Sequence, residues 1–152
     1  MLDILNVINN IVNSSVQLKN KFTDETTAPV EFACIFCQNE KEYDEFTEEI
    51  KKLGKKVEET PTGFTYLLTN PIQTIAGPLR LVKIRKPDFR KERGDADFNT
   101  NYEKLKRKHL NDTKFELVRY ETFEMLRLSE PNYDVMTCFS NIPKSKSLKI
   151  QL

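Results

Sequence analysis

Cys34-Ile-Phe-Cys37 has the form C-x-x-C, the spacing that in the right setting makes a redox pair or half a zinc site. Thioredoxin-type reactivity needs the first thiol at a helix N-terminus, where the dipole lowers its pKa. Here the apolar run from Val30 to Cys37 reads as a buried strand, which turns residues three apart to opposite faces. A zinc ribbon needs a second such pair, and only Cys138 remains. Two ordinary buried cysteines are the expectation. His109 is the single histidine, near the end of a helical segment, so a His-based zinc or iron site is excluded. It reads as a helix-surface or core histidine. Arg93-Gly94-Asp95 spells an adhesion tripeptide, but no export signal accompanies it, and Gly94 is expected to serve a turn. A Gly-rich phosphate loop, a nucleophile elbow and a kinase signature are all absent. None of the carboxylate pairs has a diagnostic spacing.

A basic cluster remains: Arg80, Lys83, Arg85, Lys86, Arg90, Lys91 and Arg93, against Asp88 and Glu92. Strand alternation over 79–85 puts Lys83 and Arg85 on one face with Leu79 and Leu81, and Arg80 on the other with Val82 and Ile84. If that first face is concave, Lys83 and Arg85 offer an anion site, since guanidinium suits bidentate recognition of carboxylate or phosphate. The other reading is a solvated connector whose cations form salt bridges with Asp95 and Asp97. It is preferred for Arg90, Lys91 and Arg93, and both readings stand for Lys83 and Arg85.

Positioning these groups falls to two similar halves. Residues 2–21 carry Leu2, Leu5, Ile8, Val12 and Val16 at helical spacing and predict an amphipathic, core-facing helix. Residues 30–37 follow as a strand, then a helix over 42–53 with Tyr43, Phe46, Ile50 and Leu53 on one face, closed by Gly54 as its C′ residue. Strands are expected over 55–59, 64–69 and 79–85, with a loop between Asn70-Pro71 and Ala76-Gly-Pro78. A connector over 86–94 leads to a short strand at 96–98 and a helix over 101–110. Strands at 115–120, 123–128 and 135–139 complete the set, and 141–152 is a basic tail. Each half reads βαβββ: a first module over 30–85 and a second over 95–140. Tight turns between strands favour antiparallel pairing and an α+β sheet.

Composition bounds the function. The 152 residues suffice for one domain with a substantial core, and 38% hydrophobic against 31% charged residues lies outside the disordered range. Lysine and arginine number 24 against 23 acids, net +1, which argues against a nucleic-acid partner. No apolar run approaches the roughly 20 residues of a membrane helix. A reduced, cytoplasmic protein is expected.

The first half, with Val30-Glu-Phe-Ala-Cys-Ile-Phe, Tyr43-Asp-Glu-Phe46, Leu53-Gly54 and three strands, resembles a module of the vicinal oxygen chelate superfamily, which includes glyoxalase I and extradiol dioxygenases. The resemblance covers roughly residues 30–140. It implies two βαβββ modules paired into curved mixed sheets around a cavity, with the N-terminal helix added outside. It also implies a divalent metal held by His and Glu of the first and last strands of each module. At those positions this chain has Glu31, Lys83 or Arg85, Asp95 or Asp97, and no carboxylate after Asp134 in the final strand. A cation in a metal position repels the metal, so the chain resembles a divergent member without the usual ligands. The resulting expectation is a small anionic or polar ligand held by Glu31, Lys83, Arg85, Asp95 and Asp97, with no cofactor and no metal. Two alternatives stand beside it: a metal-dependent enzyme with a carboxylate-rich site, and an interaction module or homodimer using the N-terminal helix or a sheet edge.

Overall fold

The computed structural model describes residues 3–152, and Leu2, assigned to the first helix from sequence, lies outside them. Helix α1 spans Ile4–Phe22, capped by the Asp3 carboxylate, which accepts from the Leu5 amide at 3.0 Å. Its apolar stripe is buried in the chain's own core: Ile8, Val12 and Leu18 are fully covered and Ile11 nearly so. Burying each such side chain contributes about 1.5–3 kcal/mol. Two buried hydrogen bonds tie α1 to the sheet. Ser15 Oγ donates to the Met136 carbonyl at 3.2 Å, and Thr137 Oγ1 donates to the Ser15 carbonyl at 2.9 Å.

The first half continues as β1 (Val30–Phe36), α2 (Glu40–Leu53), β2 (Gly54–Thr60), β3 (Gly63–Thr74) and β4 (Gly77–Arg85). The second runs β5 (Gly94–Phe98), α3 (Tyr102–His109), β6 (Phe115–Arg119), β7 (Glu124–Leu128) and β8 (Val135–Ser140), followed by a single helical turn, α4 (Lys144–Ser147). The chain thus passes twice through the order βαβββ. All eight strands form one curved, unclosed mixed sheet in the order β2-β3-β4-β1-β5-β8-β7-β6. In each half the first strand pairs in parallel with the last, β1 with β4 and β5 with β8, and the halves join where β1 meets β5 antiparallel.

Alternation sorts the side chains. Ala33, Ile35, Tyr66, Leu68, Val82, Ile84, Ala96, Phe98, Leu126, Leu128 and Phe139 face α1, α2 and α3 and form one core with Phe46, Ile50, Tyr102 and Leu105. The opposite face carries the polar residues considered below, around a smaller buried cluster of Cys34, Phe36 and Met136.

Four expectations need correction. Strand β3 does not stop before Asn70-Pro71 but runs on to Thr74; its register shifts between Leu67 and Ile72, and such an irregularity accommodates a proline that cannot donate to the ladder. Gly54 caps α2 with extended backbone (φ −168°), so it is not a left-handed C′ glycine. What it needs is room, because a Cβ there would lie 2.2 Å from the Leu67 carbonyl oxygen. Gly94 likewise serves close approach and not a turn: a Cβ would meet the Cys34 carbonyl oxygen at 2.2 Å and Ile11 Cδ1 of α1 at 2.7 Å. Finally, the basic tail contains α4, whose Ser145 is buried.

Candidate functional site

The face of the sheet turned away from α1, α2 and α3 collects the charged groups. Register places them in two rows. In one, Thr65 of β3, Lys83 of β4, Cys34 of β1, Asp95 of β5 and Met136 of β8 are successive cross-strand partners. In the next, Phe32, Asp97, Cys138, Arg127 and Glu116 follow one another across β1, β5, β8, β7 and β6. Adjacent strands are about 4.8 Å apart, so Lys83 and Asp95 flank Cys34 with Cα atoms roughly 9.5 Å apart, and Asp97 and Arg127 flank Cys138 in the same way.

Of the five residues expected from sequence, three converge here. Lys83 is partly buried, and its Nζ donates to Thr60 Oγ1 at 3.1 Å and Thr62 Oγ1 at 2.7 Å. Burial pulls its pKa down, and the nearby Arg85 and Lys144 add to this. Asp95 and Asp97 stand two residues apart on β5, on the same face. Burial raises Asp95 to about 6, with Arg127 working against the rise. Burial also raises Asp97 to about 7; the hydrogen bond from Ser140 Oγ at 2.7 Å opposes it, and the charges of Asp95 and Glu31 reinforce it.

The other two residues are used elsewhere. Arg85 sits at the rim, where it donates to Asp88 Oδ2 through Nε at 3.2 Å and Nη2 at 3.1 Å, with its guanidinium 5.9 Å from the Phe36 ring centre. Glu31 lies at a register irregularity between Val30 and Phe32 and clasps the C-terminal turn. Its Oε2 accepts from the Ser145 amide at 2.7 Å and its Oε1 from Asn99 Nδ2 at 2.9 Å. The salt bridges expected between the connector and Asp95 or Asp97 do not form. Arg90 pairs with Asp88 at 2.7 Å and Arg93 with Glu42 at 2.6 Å, because the connector folds back on its own carboxylates and on α2.

Arg127 joins the site without having been singled out in the sequence. It is held by Glu116 at 3.1 Å, and its Nε is buried with no hydrogen-bond partner. The signal was there: in Glu-Met-Leu-Arg-Leu, Leu126 and Leu128 take the core face, so Met125 and Arg127 must take the other. Lys144 of α4 closes one end of the face, paired with Glu58 at 2.7 Å and lying 5.4 Å from the Phe32 ring centre.

The cysteines behave as ordinary buried residues. All three are free thiols. Burial pushes the Cys34 and Cys138 thiols well up and Cys37 up to about 12, which suppresses thiolate nucleophilicity. Cys34 lies on the polar face and Cys37 in the main core. His109 is buried and stacked on Phe115, with ring centres 4.5 Å apart. Among the described residues, no group of three or more His, Cys, Asp or Glu side chains is placed to hold a metal ion. No described helix is long and apolar enough to cross a membrane. An open groove of about 370 Å³ between Lys91, Glu92, Glu130, Tyr133 and Asp134 contains none of the five expected residues.

No protein-family model and no curated protein matches the chain. A solved structure described as structural genomics protein EC4020 is similar to it, with a TM-score of 0.76 and 11% sequence identity over 97% of this chain and 90% of that one. At that identity the likeness shows the fold alone.

Proposed function

We propose that the polar face binds a small polar or anionic molecule without a metal, with Lys83 and Arg127 as cationic anchors and Asp95 and Asp97 as carboxyls that donate or accept according to pH. The observation that carries this reading is the convergence of Lys83, Asp95, Asp97 and Arg127, from three different strands, onto one face, with a buried donor on Arg127 left unpartnered. A buried polar atom without a partner is costly, at about 1–3 kcal/mol, and a ligand or water that accepts from it recovers that cost. The arrangement supports kinship with the vicinal oxygen chelate superfamily in strand order, and it differs from that family's chemistry at the metal. Lys83 stands where a ligand carboxylate would be, and Glu31 is committed to the C-terminal turn. The residues present do not fit a divalent cation.

A thermal-shift screen with small organic acids, phosphate esters and carbonyl compounds, at pH 6 and pH 8, tests the reading. Stabilisation by a hit is expected to be lost in Lys83→Ala and Arg127→Ala and kept in Arg90→Ala. No hit in the screen, or hits indifferent to both substitutions, would refute it. Hits are expected to bind more tightly at pH 6 when they are anionic, because protonation of Asp95 and Asp97 removes negative charge from the face.

A further inference from the structure

Lys83 differs from the chain's ion-paired lysines and from the buried Lys19 in what holds it. Lys41, Lys51, Lys52, Lys56, Lys106, Lys108 and Lys144 each pair with a carboxylate. Lys19 is buried under Phe98 on the core side, held by Asn20 and the Glu25 carbonyl, and is 1% exposed. Lys83 instead donates to two neutral hydroxyls, and among the described residues no carboxylate lies within ion-pairing distance of it. Its seat is rigid. Thr60 ends β2 and Thr62 lies in the turn to β3, which opens on Gly63 at φ +145°, and Thr60 Oγ1 donates to the Gly63 carbonyl at 2.8 Å. With its own hydrogen committed, Thr60 acts toward Lys83 only as an acceptor. Burial disfavours the ammonium charge and Arg85 and Lys144 oppose it, only partly offset by Cys34 and by Glu58, which lies beyond ion-pairing distance. An amine so placed is more often neutral than a solvated one, and neutral amine is the nucleophilic form.

We propose that Lys83 captures the carbonyl carbon of a small aldehyde or 2-oxo acid as an imine, with Asp95, across Cys34 in the same row, moving the proton. Resting on the binding role proposed for this face, the inference adds the substrate class and a covalent step. The Asp95 carboxylate accepts a proton from the Lys83 ammonium. The nitrogen lone pair then forms the N–C bond while the carbonyl π pair moves to oxygen, which takes the proton back from Asp95. Loss of the second nitrogen proton, its delivery to the hydroxyl and cleavage of the C–O bond release water and leave the protonated imine. The sum is ammonium plus carbonyl giving iminium plus water, with no oxidant or reductant consumed. The Lys83 and Asp95 Cα atoms are roughly 9.5 Å apart across Cys34, so both side chains rise from the same face and can address one small molecule lying over it. An Asp poised near neutrality suits both proton transfers.

Trapping tests this directly. The full chain is incubated near pH 7.5 with glyoxylate, and separately with pyruvate, in the presence of cyanoborohydride, which reduces the imine to a stable secondary amine. Peptide mapping by mass spectrometry then locates the adduct. A single dominant adduct on Lys83 is expected, absent in Lys83→Arg, and formed roughly 100-fold more slowly in Asp95→Asn with a flattened pH–rate profile. Label spread over exposed lysines such as Lys41, or no label, overturns the proposal. The wild-type map alone is decisive even if a variant folds poorly. If trapping fails while Lys83→Ala still abolishes ligand-induced stabilisation, the imine falls and the binding role stands. If both fail, both fall.

Discussion

Asp97→Asn is the substitution whose outcome follows most directly from the fold. Asp97 is 7% exposed, and its carboxyl titrates at about 7 instead of the ordinary 3.8 because burial disfavours its charged form. A carboxyl with a raised folded-state pKa leaves its stability intact below the unfolded value and takes it away as pH climbs through the folded one. At 1.36 kcal/mol per pH unit, a gap of about three units makes ionised Asp97 cost the fold roughly 4 kcal/mol. Asparagine keeps an oxygen to accept from Ser140 Oγ and never ionises. The variant is therefore expected to be more stable than the parent by roughly 0.5 kcal/mol at pH 4, rising to about 4 kcal/mol at pH 8. Urea unfolding of both proteins across this range measures the difference. The neighbouring Asp95, raised to about 6, adds a slope of the same sign in both proteins and largely cancels. A difference that is flat with pH, or a variant less stable at pH 8, would refute the claim that Asp97 is buried at a cost and kept for a reason other than stability.

Three further outcomes are expected. Gly94→Ala should destabilise by more than about 2 kcal/mol, because the methyl group would have to push apart the Cys34 carbonyl and the Ile11 side chain; thermal melting checks it. Glu31→Ala should cost about 1–3 kcal/mol and expose the Ser145 amide to hydrogen exchange while the β1 amides stay protected, since it removes the acceptor for Ser145 and Asn99. His109 has its pKa lowered by burial, so its contribution to stability is present above the unfolded value of about 6.5 and lost as pH falls below it. His109→Phe should flatten that acid limb in urea titrations, a slope opposite in sign to the one from Asp97.

The boundary between what could be read from the chain and what could not follows the range of the interactions. Strand β1 was legible because Val30 to Phe36 is nearly all apolar, and α2 because Tyr43, Phe46, Ile50 and Leu53 recur at helical spacing. The alternation over 79–85 was enough to place Lys83 on the opposite face from Val82 and Ile84, as the fold has it, but it also put Leu79 on the Lys83 face, whereas Leu79 packs in the main core beyond the register shift opposite β3. Strand β5 was only faintly legible. Gly-Asp-Ala-Asp-Phe has weak strand propensity and is held as a strand by β1 and β8 on either side. Arg127 was hidden for a related reason: an arginine in a strand is unremarkable until its row is known.

By itself, then, the sequence determined which residues alternate, where α1, α2 and α3 run and that the order βαβββ occurs twice, because these depend on neighbours within a few positions. It could not determine that Lys83, Cys34 and Asp95 share a row, that Glu31 would be drawn away to Ser145, or that Arg85 would turn to Asp88. Those outcomes depend on which strand lies beside which and in what register. Pairings across tens of residues are decided by the burial of the whole core face at once, and no local pattern carries them.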